Sequence, residues 1–250
     1  MSQVNPYANG VPMLGTTYGP AAFAEESARA AFIRRTYSHL TGAVFALMAI
    51  EFVLFAVIPR NIMTGLVERM IGGYGWLIVL GAFMGVSWLA RSWASSGQSV
   101  TKQYLGLGLY VVAEAFILLP ALYVAIVIMG QPDIPILAAI ITSVCFAGLT
   151  AFVFMTRVDL ASWGTYLFAA GLIAMGVVIA GVFFGFSLGL FFCGAMVALA
   201  CGYILYDTSN VLHHYDTRQH VAASLALFAS VALLFYYVLR IMMMFAGSDD

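Results

Sequence analysis

Four ionisable side chains lie where a charge is expensive. Glu51 is in "LMAIEFVLF", Glu114 in "YVVAEAFILLP", Asp207 at the end of "GLFFCGAMVALACGYILYD", and Arg240 in "YYVLRIM". A charge at the centre of a bilayer costs on the order of 3 kcal/mol on insertion scales, so such groups face a polar interior, pair, or mark a path for ions or protons. Glu114 and Glu51 are placed near mid-depth. Each is open to two readings, a polar step on an ion path or a neutral, hydrogen-bonded structural acid. Asp207 ends its apolar run, where a carboxylate could gate a passage or simply cap nearby amides. Arg240 is close enough to the far surface to snorkel.

The histidines suggest different chemistry. His213, His214 and His220 crowd "LYDTSNVLHHYDTRQH", and His39 reaches the same membrane face. A zinc site needs three or four ligands converging on one point, which a helix presents best at i and i+4. His214 and His220 are six apart, and no His-Glu-x-x-His occurs. The three are read as a solvated loop, and no metal or other cofactor is assigned. A retinal site would need a lysine inside the last span, but the single lysine is Lys102, in a loop. An intramembrane serine protease would need a histidine at the depth of its serine, and no span supplies one. The chain reads as non-enzymatic.

The elements that must hold these groups follow from composition. With 63% hydrophobic and only 8% charged residues, the chain is far from the usual soluble balance of about half apolar and about a quarter charged. Its surface must face lipid. A net charge of -1 excludes the basic footprint of a nucleic-acid binder. Cys145, Cys193 and Cys201 sit in apolar stretches without metal-type spacing and read as small core residues. Residues 1–35 are expected to form a polar, flexible tail, with one membrane domain over 36–250.

A span of about 20 apolar residues crosses the hydrocarbon as a helix, because a helix satisfies its own backbone. Seven such runs occur, at about 40–59, 74–93, 104–129, 134–155, 163–184, 187–206 and 222–245. The fold class is therefore all-α, a polytopic seven-helix bundle. The turn in "FFGFSLG" divides the fifth from the sixth. Arg29, Arg34, Arg35, Arg91, Lys102, Arg157 and Arg218 fall on one side, against Arg60 and Arg69 in the opposite loop. The positive-inside rule then places the N-terminus in the cytoplasm and the C-terminus, with Asp249 and Asp250, on the far side. Frequent glycines within the spans are read as close helix packing, without chemistry.

From span six onward, "GYILYDTSNVLHHYDTRQHVAASLALFASVALLFYYVLRIM" resembles the C-terminal signature of the Bax-inhibitor family, also called the transmembrane Bax-inhibitor-motif family. "RAAFIRRTYSHLTGAVFALMA" adds weaker support. The resemblance implies a bundle whose last helix is wrapped by the other six. It also implies, in several members, a slow pH-sensitive calcium leak latched by two acids on spans six and seven. Asp207 matches the first acid. Aligning the arginine of "YYVLRIM" puts the second at Ser230, which cannot share a titrating proton near neutral pH but could hydrogen-bond Asp207 as a weaker latch.

Serine at that position, with the closing "FAGSDD", resembles a bacterial branch whose characterised member binds a membrane-embedded AAA protease through its N-terminal segment. Two expectations follow. The first is a modulator of membrane-protein quality control or stress response, working through protein contact in a bacterial inner membrane. The alternative is a pH-sensitive calcium or cation leak gated by Asp207, with Ser230, Glu114 and Glu51 along the path and Arg240 and His39 in support. Lipid is a partner in both, and nucleic acid in neither.

Overall fold

The computed structural model describes residues 20–96 and 99–247. Eight α-helices follow a short 3-10 turn at Ala21–Phe23. They are α1 (Glu26–Val57), α2 (Arg60–Ile71), α3 (Gly75–Ala94), α4 (Val100–Tyr123), α5 (Asp133–Thr156), α6 (Trp163–Phe184), α7 (Leu190–His213) and α8 (His220–Ala246). All but α2 are long and apolar enough to cross a membrane, α4 together with the π turn Val124–Ile128 that prolongs it. The protein is an all-α, multi-pass membrane bundle.

The last helix is its axis. Two-thirds of the apolar window of α8 is buried, 67%, against 11% for α3 and α6. It packs on α1, α3, α4, α5 and α7, while α6 packs chiefly on α7. The wrapping is thus looser than six helices around one. Large apolar side chains face outward from the peripheral helices, Phe52, Ile78, Val144 and Phe168 among them, as lipid requires.

Apolar side chains form two main layers along the axis. One holds Phe32, Leu40, Val111, Val211 and Phe228. The other holds Leu118, Ile134, Ile204, Leu234 and Leu239. On α4, α7 and α8 the buried residues between these layers include Glu114, Asp207 and Ser230. Register alone sets three of the expected site residues in one polar layer.

Three boundaries differ from the sequence reading. The helix of the first span starts at Glu26, so residues 20–35 are not a flexible tail, whereas residues 1–19 lie outside the described residues. Phe32, Thr36, Leu40 and Ala43 are buried on one stripe at i, i+4, i+8 and i+11, so α1 continues past the hydrocarbon because it still has an apolar face to bury. Span six likewise runs on to His213. Asp207 therefore lies well inside α7, buried with Thr208, Ser209 and Val211, and not at a helix end. The α6–α7 hairpin does turn at Gly185, whose φ of 72° suits a glycine C-cap.

The third difference is α2, in a stretch the reading treats as loop. Met63, Val67 and Met70 recur at i, i+4 and i+7 and are buried, the period of an amphipathic helix. It is held to α4 by Leu119 and Tyr123 and by a 2.5 Å hydrogen bond between Thr64 Oγ1 and Tyr123 Oη. Tyr123→Phe removes that bond with little change of shape. We expect a loss of about 1 kcal/mol, read as a lower melting temperature in detergent.

Candidate functional site

Asp207 and Ser230 face each other across the α7–α8 contact. Both are buried, at 8% and 5% exposure. The Ser230 hydroxyl donates to Asp207 Oδ2 at 2.5 Å, with the Ala226 carbonyl 3.2 Å away on its own helix. A hydroxyl on a carboxylate is among the stronger hydrogen bonds. The serine that stands at the second acid's position is thus a direct partner of the first.

Other helices close around the pair. Arg91, in the last turn of α3, puts its guanidinium carbon 5.6 Å from the Tyr110 ring centroid and acts electrostatically on both Glu114 and Asp207. Tyr110 precedes Glu114 by one turn on α4 and faces it. From the loop, Tyr215 approaches Asp207. Its phenol is held above its ordinary value by burial first, and then by that carboxylate. The residues following Asp207 are buried too. Ser209 Oγ donates to the Val158 carbonyl at 3.0 Å and accepts from the Leu160 amide at 2.9 Å, pinning the α5–α6 connection to α7. The Tyr37 hydroxyl lies against both Thr208 and Thr150, which groups three buried hydroxyls from α1, α5 and α7.

The remaining expected residues fall elsewhere. Both carboxyl oxygens of Glu51 are buried on α1 without a hydrogen-bond partner, and no other titrating group acts on it. Arg240 is at the opposite end of the bundle, beside Tyr236. His39 contacts the Arg35 carbonyl at 2.6 Å and Tyr104 Oη at 2.8 Å, with the His220 ring 5.0 Å away; it braces α1 against α4 and α8, remote from Asp207 by register. The wet-loop reading of the histidines needs correction. His213 is the last residue of α7, half-buried and bonded to the Ser209 carbonyl at 2.9 Å, and His220 opens α8, half-buried. Only His214 is an exposed loop residue. It pairs with Asp159 at 3.0 Å, and that hydrogen bond, then the Ala161 amide, keeps the Asp159 carboxyl below its usual range. An exposed pair of this kind adds little stability. Among the described residues no three His, Cys, Asp or Glu side chains converge as metal ligands.

Arg91, Tyr110 and Tyr215 carry no sequence signal that singles them out for the site. Arg91 reads only as an orienting charge, because its approach to α4 and α7 depends on tertiary packing. Ser209 does lie in "YDTSN", where a serine after a buried aspartate on a helix face could have drawn attention. Ser209→Ala strands a buried amide and a carbonyl together. We expect about 1–3 kcal/mol of destabilisation, seen as a lower melting temperature and faster proteolysis at the α5–α6 loop.

Residues 29–247 match the family described as inhibitor of apoptosis-promoting Bax1. The chain belongs to the Bax-inhibitor family. It is similar to Bax inhibitor 1 of Schizosaccharomyces pombe, 26% identical over 236 residues that cover 92% of this chain and 83% of the relative. It is 29% identical to protein lifeguard 4 of Mus musculus over 50% of this chain and 54% of that one. An uncharacterized protein of Pseudomonas aeruginosa is 33% identical over 44% of this chain and 49% of its own length. As a Bax-inhibitor family member the chain carries Asp207 and Ser230 on its two C-terminal spans, hydrogen-bonded to each other.

Proposed function

We propose that this protein is a proton-sensitive cation leak, with calcium as the ion, closed by the bond between Asp207 and Ser230. The observation that carries the reading is that bond itself, buried in a polar layer between two apolar ones. An ionised Asp207 accepts from Ser230 and attracts Arg91. Protonation weakens both attractions, and α7 is then held less firmly to α8. Flux should rise as pH falls. The buried hydroxyls of Tyr37, Thr150 and Thr208, grouped between α1, α5 and α7, supply polar lining toward the Arg-rich end. The Arg-rich end is taken as cytoplasmic, in a bacterial inner membrane. The test is calcium flux into liposomes between pH 6 and 8, wild type beside Asp207→Asn; no flux at any pH would end the proposal.

A second reading, modulation of a membrane-embedded AAA protease, is favoured by one contact. Pro20 bridges to Asp216, and the Ala21 amide donates to the Tyr215 carbonyl at 2.9 Å. Pro20 and Ala21 are thereby fixed to the loop that follows α7, and a partner holding the residues before them would act next to that loop. Co-purification of a protease from native membranes that is lost on deleting residues 1–19 supports this reading, and co-purification indifferent to the deletion rejects it.

A further inference from the structure

Arg240 is the buried charge that the latch does not use. It lies on α8 about two turns before Ala246, half-buried, with the Tyr236 phenol as hydrogen-bond partner and Tyr237 and Cys193 nearby. Among the described residues it makes no ion pair. A half-buried guanidinium among mostly apolar walls is best satisfied by an anion.

The side chain lines an open cleft of about 570 Å³ together with the Tyr236 phenol, and the other walls are mostly apolar, with Trp76, Pro120, Ala121, Val124 and Val182 among them. That volume is within the range of small-ligand sites, roughly 300–1,000 Å³. The irregular backbone of α4 forms one wall, because Pro120 lies inside the helix and Val124 opens the π turn, a feature frequent at functional sites. The cleft lies between spanning helices, with Trp76 from α3, Pro120 and Ala121 from α4, Val182 from α6 and Tyr236 from α8. Helix α3 packs on α4 and α6 on α7, and the two meet through the exposed rings of Tyr74 and Phe183, 5.8 Å apart. Trp76, at the start of α3, sits where aromatic residues mark the membrane–water boundary, so the cleft opens near headgroup depth.

We infer that this cleft binds an anionic phospholipid from the surrounding leaflet, its phosphate on Arg240 and an acyl chain along Pro120, Val124 and Val182. Arginine matches a phosphate with a planar fork of donors, which lysine does not. The site is separate from Asp207, so its failure would leave the leak reading untouched.

Native mass spectrometry of the full chain in detergent, titrated with phosphatidylglycerol, phosphatidylcholine or oleate, tests this. Phosphatidylglycerol should bind at least about tenfold more tightly than phosphatidylcholine, a preference that Arg240→Gln abolishes and Arg240→Lys keeps in part. Ala121→Phe, which fills the cleft and leaves Arg240 in place, should weaken it to a similar degree. Equal binding of the two phospholipids, or unchanged phosphatidylglycerol binding in Arg240→Gln, overturns the inference. Oleate bound in preference to phosphatidylglycerol overturns it in favour of a free fatty acid. If Arg240→Gln does not elute as a monodisperse protein, Ala121→Phe decides, and undiminished binding there is fatal.

Discussion

In liposomes at pH 8, Asp207→Asn should leak calcium at the rate the wild type reaches only near pH 6, and should show no pH dependence between the two. The amide cannot ionise, so it mimics a permanently protonated carboxyl: it can still accept weakly from Ser230 but offers no charge to Arg91. Hydrogen bonds to charged groups are worth about 1.5–3 kcal/mol, and about 1.4 kcal/mol is tenfold in population. The wild-type rise in flux and the constitutive rate of the variant should therefore both be tenfold or more. A variant that keeps the wild-type pH profile would show that Asp207 is not the titrating latch.

Ser230 refines the same prediction. Ser230→Ala leaves Asp207 charged near Arg91 while removing the hydroxyl, so flux at pH 8 should rise, but by less than in Asp207→Asn, and its pH dependence should persist. Ser230→Asp restores the acid pair that the family resemblance implies. Two carboxyls within bonding reach titrate as a coupled pair, and the flux profile should broaden over a wider pH range. A profile identical to wild type would show that position 230 is a spectator.

The parts of this site differ in how far a sequence can reveal them. Seven spans are legible because lipid demands long apolar runs, and Asp207 stands out for interrupting one. Its burial is not legible, since a hydropathy count stops at the first charge while α7 runs on with Thr208 turned to Tyr37 and Ser209 to the α5–α6 connection. Helix α2 is hidden for the same reason, its apolar residues being spaced for one face and too sparse for a run. Glu51 and Glu114 look alike in sequence; packing alone sets Tyr110 and Arg91 against one and leaves the other without a hydrogen-bond partner among the described residues. Ser230 becomes a candidate only through family alignment, and the geometry gives that alignment a physical content.

The second large effect is expected at Gly106, where α4 comes closest to α3. A Cβ there would meet the Ala90 carbonyl oxygen at 2.5 Å, the Ala94 amide nitrogen at 2.7 Å and Trp93 Cβ at 3.1 Å. Two of these atoms are backbone, so relief requires the helices to separate. Small residues at such a crossing are what permit close approach in lipid. Overpacking typically costs about 1–3 kcal/mol, and Gly106→Ala should reach the upper part of that range. Gly108, two residues along and facing outward, has open space where a Cβ would stand, with no atom within 4 Å, and Gly108→Ala should leave the melting temperature unchanged or slightly raised. Because α3 carries Arg91 and α4 carries Tyr110 and Glu114, the same displacement reaches the latch: Gly106→Ala should also raise calcium flux at pH 8, and Gly108→Ala should not. A Gly106→Ala protein that is destabilised yet keeps wild-type flux would mean that Arg91 takes no part in holding the passage shut.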